Sequence, residues 1–80
     1  MESSKNAIRE LDLTGLRCPM PIVRINEEIR GIEVGDELFV TASDPAFGLD
    51  VMAWCRTTGH ELIEVTRPDE LTIARIRRST

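Results

Sequence analysis

Apolar and polar positions first alternate along the chain. Ile8, Glu10 and Asp12 fall on one side and Arg9, Leu11 and Leu13 on the other, which predicts a strand from Ile8 to Leu13 with one mostly apolar face. Thr14-Gly15-Leu16-Arg17 breaks the alternation. From Pro21 to Arg30 the period lengthens: Ile22, Ile25 and Ile29 stand at helical spacing with Val23 beside them, and Arg24, Asn26, Glu27, Glu28 and Arg30 take the other face. That pattern predicts an amphipathic helix, and Gly31 suits its C-terminal stop. Val34-Gly35-Asp36 turns the chain into Leu38-Phe39-Val40-Thr41-Ala42, a mainly apolar run expected as a strand buried centrally. Ser43-Asp44-Pro45 then opens a second helix, with Asp44 expected as N-cap and Pro45 as first helical residue. Phe47, Val51, Trp54 and Cys55 share one face of that helix, and Gly59 suits the position just past its end. Glu61 to Thr66 and Leu71 to Ile76 read as strands of a hairpin around Arg67-Pro68-Asp69-Glu70.

The element order is therefore β-α-β-α-β-β. A right-handed crossover makes the first two strands parallel, and the closing hairpin adds an antiparallel pair. The expected fold is α/β: a two-layer sandwich with a four-stranded mixed sheet and two helices on one face. With 80 residues there is room for one domain, residues 1–80, with the first six or so expected to be loose. Phe39, Phe47 and Trp54 are the only aromatic residues, so aliphatic side chains must supply most of the burial.

Charge and composition narrow the function classes. A formal net charge of −4 weighs against general nucleic-acid binding, which needs a basic face to displace counterions; Arg75, Arg77 and Arg78 are a local exception. No run approaches the roughly 20 apolar residues needed to cross a bilayer, and the polar start Met1-Glu2-Ser3-Ser4-Lys5-Asn6 lacks a signal-peptide core. The expected location is the cytoplasm. Two cysteines, Cys18 and Cys55, are too few for a disulfide framework.

The segment with chemical character is Leu16-Arg17-Cys18-Pro19-Met20-Pro21-Ile22, between the first strand and the first helix. Pro19 and Pro21 are tolerated in a first helical turn, where amides have no intrahelical acceptor. They place Cys18 at the helix N-terminus or one residue before it. There the helix dipole sets partial positive charge beside the sulfur. The amides of Met20 and Ile22 are candidate donors to it, and Arg17 and Arg24 are candidate cations. These effects favour thiolate, since helix N-termini bring a cysteine from ~8.5 to roughly 3.5–7.5. A persulfide anion gains the same stabilisation. The bland alternative makes Cys18 a small buried hydrophobe, but two prolines in this register favour chemistry. Cys18, Cys55 and His60 show no metal-ligand spacing, so no metal is expected. His60 follows Gly59 and is expected on the opposite sheet edge from Cys18. Cys55 is expected in the core and not in a disulfide with Cys18.

With these residues identified, the chain resembles the TusA/SirA-like family of small sulfur-relay proteins from Leu11 to Arg78. Gly15-Leu16-Arg17-Cys18-Pro19-Met20-Pro21 fits that family's Cys-Pro-x-Pro motif. Asp44-Pro45-Ala46 and Gly59-His60-Glu61-Leu62 carry the likeness further. The resemblance implies the same β-α-β-α-β-β sandwich. It also implies that Cys18 accepts sulfane sulfur as a persulfide from a donor protein, a cysteine desulfurase or a rhodanese, and delivers it to an acceptor protein. Such relays serve transfer-RNA thiolation, molybdenum-cofactor assembly or oxidation of reduced sulfur compounds. No cofactor is implied. Cys18 is the one residue whose role carries over, with Pro19, Pro21 and Arg17 in support. Leu16 and Met20 are expected partner contacts, Leu49 and Met52 further candidates, and serial docking suits a monomer. Two rivals remain: a regulatory or protein-binding module of this fold with Cys18 as a redox sensor, and RNA binding through the arginine-rich C-terminus.

Overall fold

The structure is a computed structural model that describes residues 7–80; the loose segment expected over residues 1–6 lies outside the described residues. The elements are β1 (Ile8–Leu13), α1 (Met20–Glu28) with a 3-10 turn at Ile29–Gly31, β2 (Glu37–Ala42), α2 (Phe47–Thr58), β3 (Glu61–Thr66), a second 3-10 turn at Pro68–Glu70, and β4 (Thr72–Arg77). The expected order holds, with β4 one residue later than the pattern predicted. β1 and β2 pair in parallel, from Ile8 opposite Glu37 to Leu13 opposite Ala42. β4 lies between β2 and β3 and is antiparallel to both, so the sheet order is β1-β2-β4-β3.

The sheet's alternation sends Leu38, Val40 and Ala42 of β2 and Ala74 and Ile76 of β4 into the core. Ile25 and Ile29 meet them from the first helix, and Phe47, Val51 and Cys55 from the second at intervals of four residues, one turn of α2 each time. Both helices therefore cover one face, as a two-layer sandwich requires. The other face has no covering layer among the described residues. Here the expectation for β2 needs correction: it is central in strand order, but only its helix-covered face is buried throughout, and Phe39 is 37% exposed on the other.

Two helix ends differ from expectation in instructive ways. The last turn after Glu28 tightens to a 3-10 turn before Gly31. At α2 the expected Asp44 cap is not formed. The helix starts at Phe47 with Ala46 as N-cap and no side-chain cap bond. Pro45 and Ala46 instead form a turn closed by the Phe47 N–H donating to the Asp44 carbonyl at 3.1 Å, so the Asp44 backbone is used and its carboxylate is left for other contacts. The far end is as expected: Gly59 takes a left-handed φ of 87° and its N–H donates to the Cys55 carbonyl at 2.9 Å.

The arginine-rich end is engaged by its own chain. Arg75 donates to Glu37 at 2.6 Å, and Arg77 to Glu37 at 3.1 Å and Glu61 at 3.0 Å. Arg78 donates to the Ile32 carbonyl. The Arg75 guanidinium above all, with Arg77 adding to it against the effect of burial, holds the Glu37 carboxyl below its ordinary range. Arg75 and Arg77 are thus paired with carboxylates of their own chain, which weakens the local basic patch.

Phe47 is fully buried where α2 meets the sheet, so Phe47→Ala is expected to cost about 3–5 kcal/mol of unfolding free energy. Leu49→Ala, at a side chain 75% exposed, is expected to cost under about 0.5 kcal/mol. Urea unfolding of both variants checks the contrast.

Candidate functional site

Parallel pairing brings the carboxyl ends of β1 and β2 side by side, Leu13 against Ala42. The loops leaving those ends, residues 14–19 and 43–46, must therefore meet. The Gly15 N–H joins them by donating to Ser43 Oγ at 2.8 Å. Cys18 is in the first loop and exposed. It precedes Pro19, the N-cap residue of α1, through a cis peptide bond. Pro21 is buried in the first helical turn and anchors the loop from below.

Two carboxylates that the sequence reading did not connect with the sulfur stand beside it. Asp44 comes from the loop after β2 and Asp50 from the first turn of α2. Cys18 Sγ and one oxygen from each carboxylate all lie within 4.8 Å of one another. These surroundings act against the expected thiolate. Hydrogen bonding of the thiol to Asp50 is the main cause of a raised Cys18 pKa; partial desolvation and the charges of Asp50 and Asp44 push the same way. Two of the groups expected to act in the opposite sense are engaged elsewhere. The Met20 N–H donates to the Arg17 carbonyl at 2.8 Å. Arg24 turns to Glu27 and Glu28, both at 3.5 Å. The three donors form a mixed set of one thiol and two carboxylates. It matches neither the Cys/His sets of structural zinc nor the all-oxygen sets of calcium and magnesium.

Cys18 sits at the mouth of a shallow groove of about 360 Å³ between the two helices, lined by Pro19, Ile22, Asp50, Ala53, Trp54 and Thr57. Trp54 links the two helices by donating its indole N–H to Asn26 of α1 at 3.3 Å. Its other side meets the His60 ring, 5.3 Å between centroids. His60 leads into β3, the outer strand farthest in order from β1, and its Nδ1 accepts the Ser79 N–H at 3.1 Å. No Cys-His pair forms. Cys55 is buried and free, its thiol pushed up to about 11 by burial. Of the two residues expected to flank the sulfur as partner contacts, Met20 is 45% exposed, whereas Leu16 is half-buried and packs on the core. Leu49 and Met52 are exposed on α2.

Comparison with known proteins places this geometry. The family model described as "Sulfurtransferase TusA" matches residues 9–78. The chain belongs to the TusA family of sulfurtransferases. It is 40% identical over 72 residues to a "Putative sulfur carrier protein" of Aquifex aeolicus (strain VF5), a match covering 90% of the chain and 36% of that relative. The chain thus spans about a third of the Aquifex protein's length. A Neisseria meningitidis serogroup A protein of the same description is 42% identical over 59 residues, covering 74% of the chain and 80% of that protein. A SirA-like protein from Desulfitobacterium hafniense shares the fold, with a TM-score of 0.77, 19% identity, and coverage of 91% of this chain and 99% of that one. The TusA/SirA resemblance seen in the sequence, and the mixed-sheet α/β fold it implied, are both shown.

The two thiols of this TusA-family chain are expected to separate cleanly in iodoacetamide alkylation. Cys18 is modified in the native protein and Cys55 only after unfolding. Because the acidic neighbours raise it, the Cys18 pH–rate midpoint lies above that of free cysteine, ~8.5. A midpoint below that value contradicts the described surroundings of the sulfur.

Proposed function

We propose that the protein is a sulfur carrier that holds sulfane sulfur as a persulfide on Cys18 and passes it to a partner's cysteine. One observation carries this reading. The family's motif cysteine is exposed at the mouth of an open groove, on a loop stiffened by Pro19 and Pro21, where another protein's sulfur can reach it. Arg17 lies beside it in the same loop.

The exchange needs no cofactor and no net redox change. Cys18 loses its thiol proton to solvent as its sulfur attacks the outer sulfur of a donor hydropersulfide, R–S–SH. The donor S–S bond breaks, R–S⁻ leaves and takes up a proton, and Cys18–S–SH remains. Repeating the step with an acceptor thiol regenerates Cys18–SH. A cysteine desulfurase or a rhodanese-like protein fits the donor role. The onward routes are transfer-RNA thiolation, molybdenum-cofactor assembly or oxidation of reduced sulfur compounds. The carrier works in the cytoplasm, where reducing conditions keep such a thiol free, and as a monomer, because each partner must reach the same sulfur. No helix among the described residues is long and apolar enough to cross a membrane.

Intact-mass measurement after exposure to a cysteine desulfurase and cysteine is expected to show one added sulfur atom. That sulfur is lost on reduction, absent in Cys18→Ser and retained in Cys55→Ser. Addition that persists in Cys18→Ser contradicts the assignment. Met20 is exposed beside the sulfur, so Met20→Glu is expected to leave stability within about 0.5 kcal/mol while slowing uptake from the protein donor. Unchanged uptake removes Met20 from the docking surface.

A further inference from the structure

We propose that Ser43 is a positioning residue for sulfur transfer: its hydroxyl holds the Cys18 loop in the arrangement that lines the Cys18 sulfur up with a donor protein's persulfide. The inference rests on the carrier reading and adds the group that sets the reacting geometry. Ser43 acts through the loop and not on the sulfur.

The loop's amides carry the argument. The chain turns sharply after β1. The Leu16 N–H donates to the Leu13 carbonyl at 3.2 Å, and Gly15 takes a left-handed φ of 87°, which glycine adopts without strain. The Thr14 N–H donates to Asp12 Oδ1 at 3.1 Å. Both bonds reach back only into β1. The Gly15 N–H points elsewhere, to Ser43 Oγ at 2.8 Å, 28 residues along the chain. Among the described residues it is the one amide of residues 14–19 that donates to a distant part of the chain.

The sheet places Ser43 for this bond. Ser43 follows Ala42, the last residue of β2, and Ala42 pairs with Leu13, the last residue of β1. The hydroxyl thus extends the ladder one step past its end and fastens the two loops together where they leave the sheet. Both loops border one hollow, with Gly15 and Arg17 from the first and Ser43 and Pro45 from the second. Cys18 is three residues beyond Gly15. Leu16 between them packs on the core, and Pro21 is buried on the helix side of the sulfur. Fixing Gly15 therefore fixes the near end of a short segment whose far end is already anchored. Persulfide exchange needs the attacking sulfur aligned with the bond that breaks, and small misplacements of a reacting group are costly in rate. The Gly15–Ser43 bond is also exposed. Water can accept from the Gly15 amide when the hydroxyl is removed, so its loss frees the loop without leaving a buried amide unpaired.

Two variants of the whole protein test the idea: Ser43→Ala removes the hydroxyl and Ser43→Thr keeps it. Intact mass follows sulfur loading from a cysteine desulfurase and cysteine at saturating donor. Ser43→Ala is expected to load about three- to tenfold more slowly, the scale of one net hydrogen bond, and Ser43→Thr to load near the wild-type rate. Iodoacetamide needs no aligned protein partner, so its rate at Cys18 is expected to match wild type in both variants, with Cys55 still protected. Wild-type loading by Ser43→Ala overturns the proposal and leaves the carrier role standing. Slowing that iodoacetamide shares, that comes with exposure of Cys55, or that Ser43→Thr does not restore gives Ser43 a purely structural role and overturns it equally. Failure of the wild-type protein to load overturns the carrier role, and this proposal with it.

Discussion

The parallel hydrogen-bonded ladder between β1 and β2 decides where chemistry can occur in this chain. Strands that run the same way release their loops at the same end, so residues far apart in sequence arrive together beyond Leu13 and Ala42. Cys18, Asp44 and Asp50 gather there because of that ladder. An antiparallel pairing would have carried Asp44 to the opposite end. The right-handed crossover through α1 is what makes the parallel pairing possible in so short a chain. Insertion of β4 beside β2 then completes a sheet whose covered face supports both helices.

From that convergence follows an electrostatic balance unlike the usual activated cysteine. The N-terminus of α1 points toward the motif loop, yet its first amide is taken by the Arg17 carbonyl and its arginine faces Glu27 and Glu28. The charges closest to the sulfur are negative. A thiol kept neutral is protected from adventitious oxidants and electrophiles, because thiolate is the reactive form. For a protein whose cargo must move only between chosen partners, low intrinsic reactivity is an asset. The groove beside Cys18, where Trp54 bonds across to Asn26, supplies contact area without enclosing the sulfur.

Much of this could be read from residue order. Periodicity and turn residues located the elements to within a residue or two in most cases, because β1 alternates, α1 carries a helical stripe, and Arg67-Pro68-Asp69-Glu70 separates β3 from β4. The two prolines around Cys18 revealed the reactive loop, since only a first helical turn tolerates them in that register. What escaped depends on distance through space. Asp44 looked like a helix cap, and only the turn at Pro45 and Ala46 frees its side chain. Asp50 drew no reading at all, because nothing in its neighbours along the chain connects it to Cys18. The sign of the thiol's shift was misjudged for the same reason. Local sequence shows Arg17 and Arg24, whereas the tertiary fold supplies the carboxylates. Phe39 likewise read as core because the sequence does not say which sheet face the helices leave bare.

The most direct test of the central claim is a discharge experiment on the loaded carrier. Wild-type protein charged with isotopically heavy sulfur and freed of its donor is mixed with an acceptor protein, and peptide mapping follows the label over a single turnover. The account predicts that the heavy atom leaves the Cys18 peptide as one unit, appears on the acceptor's cysteine, and leaves an unmodified Cys18 thiol behind. Label that stays on Cys18, or that travels from any other residue of the chain, contradicts it.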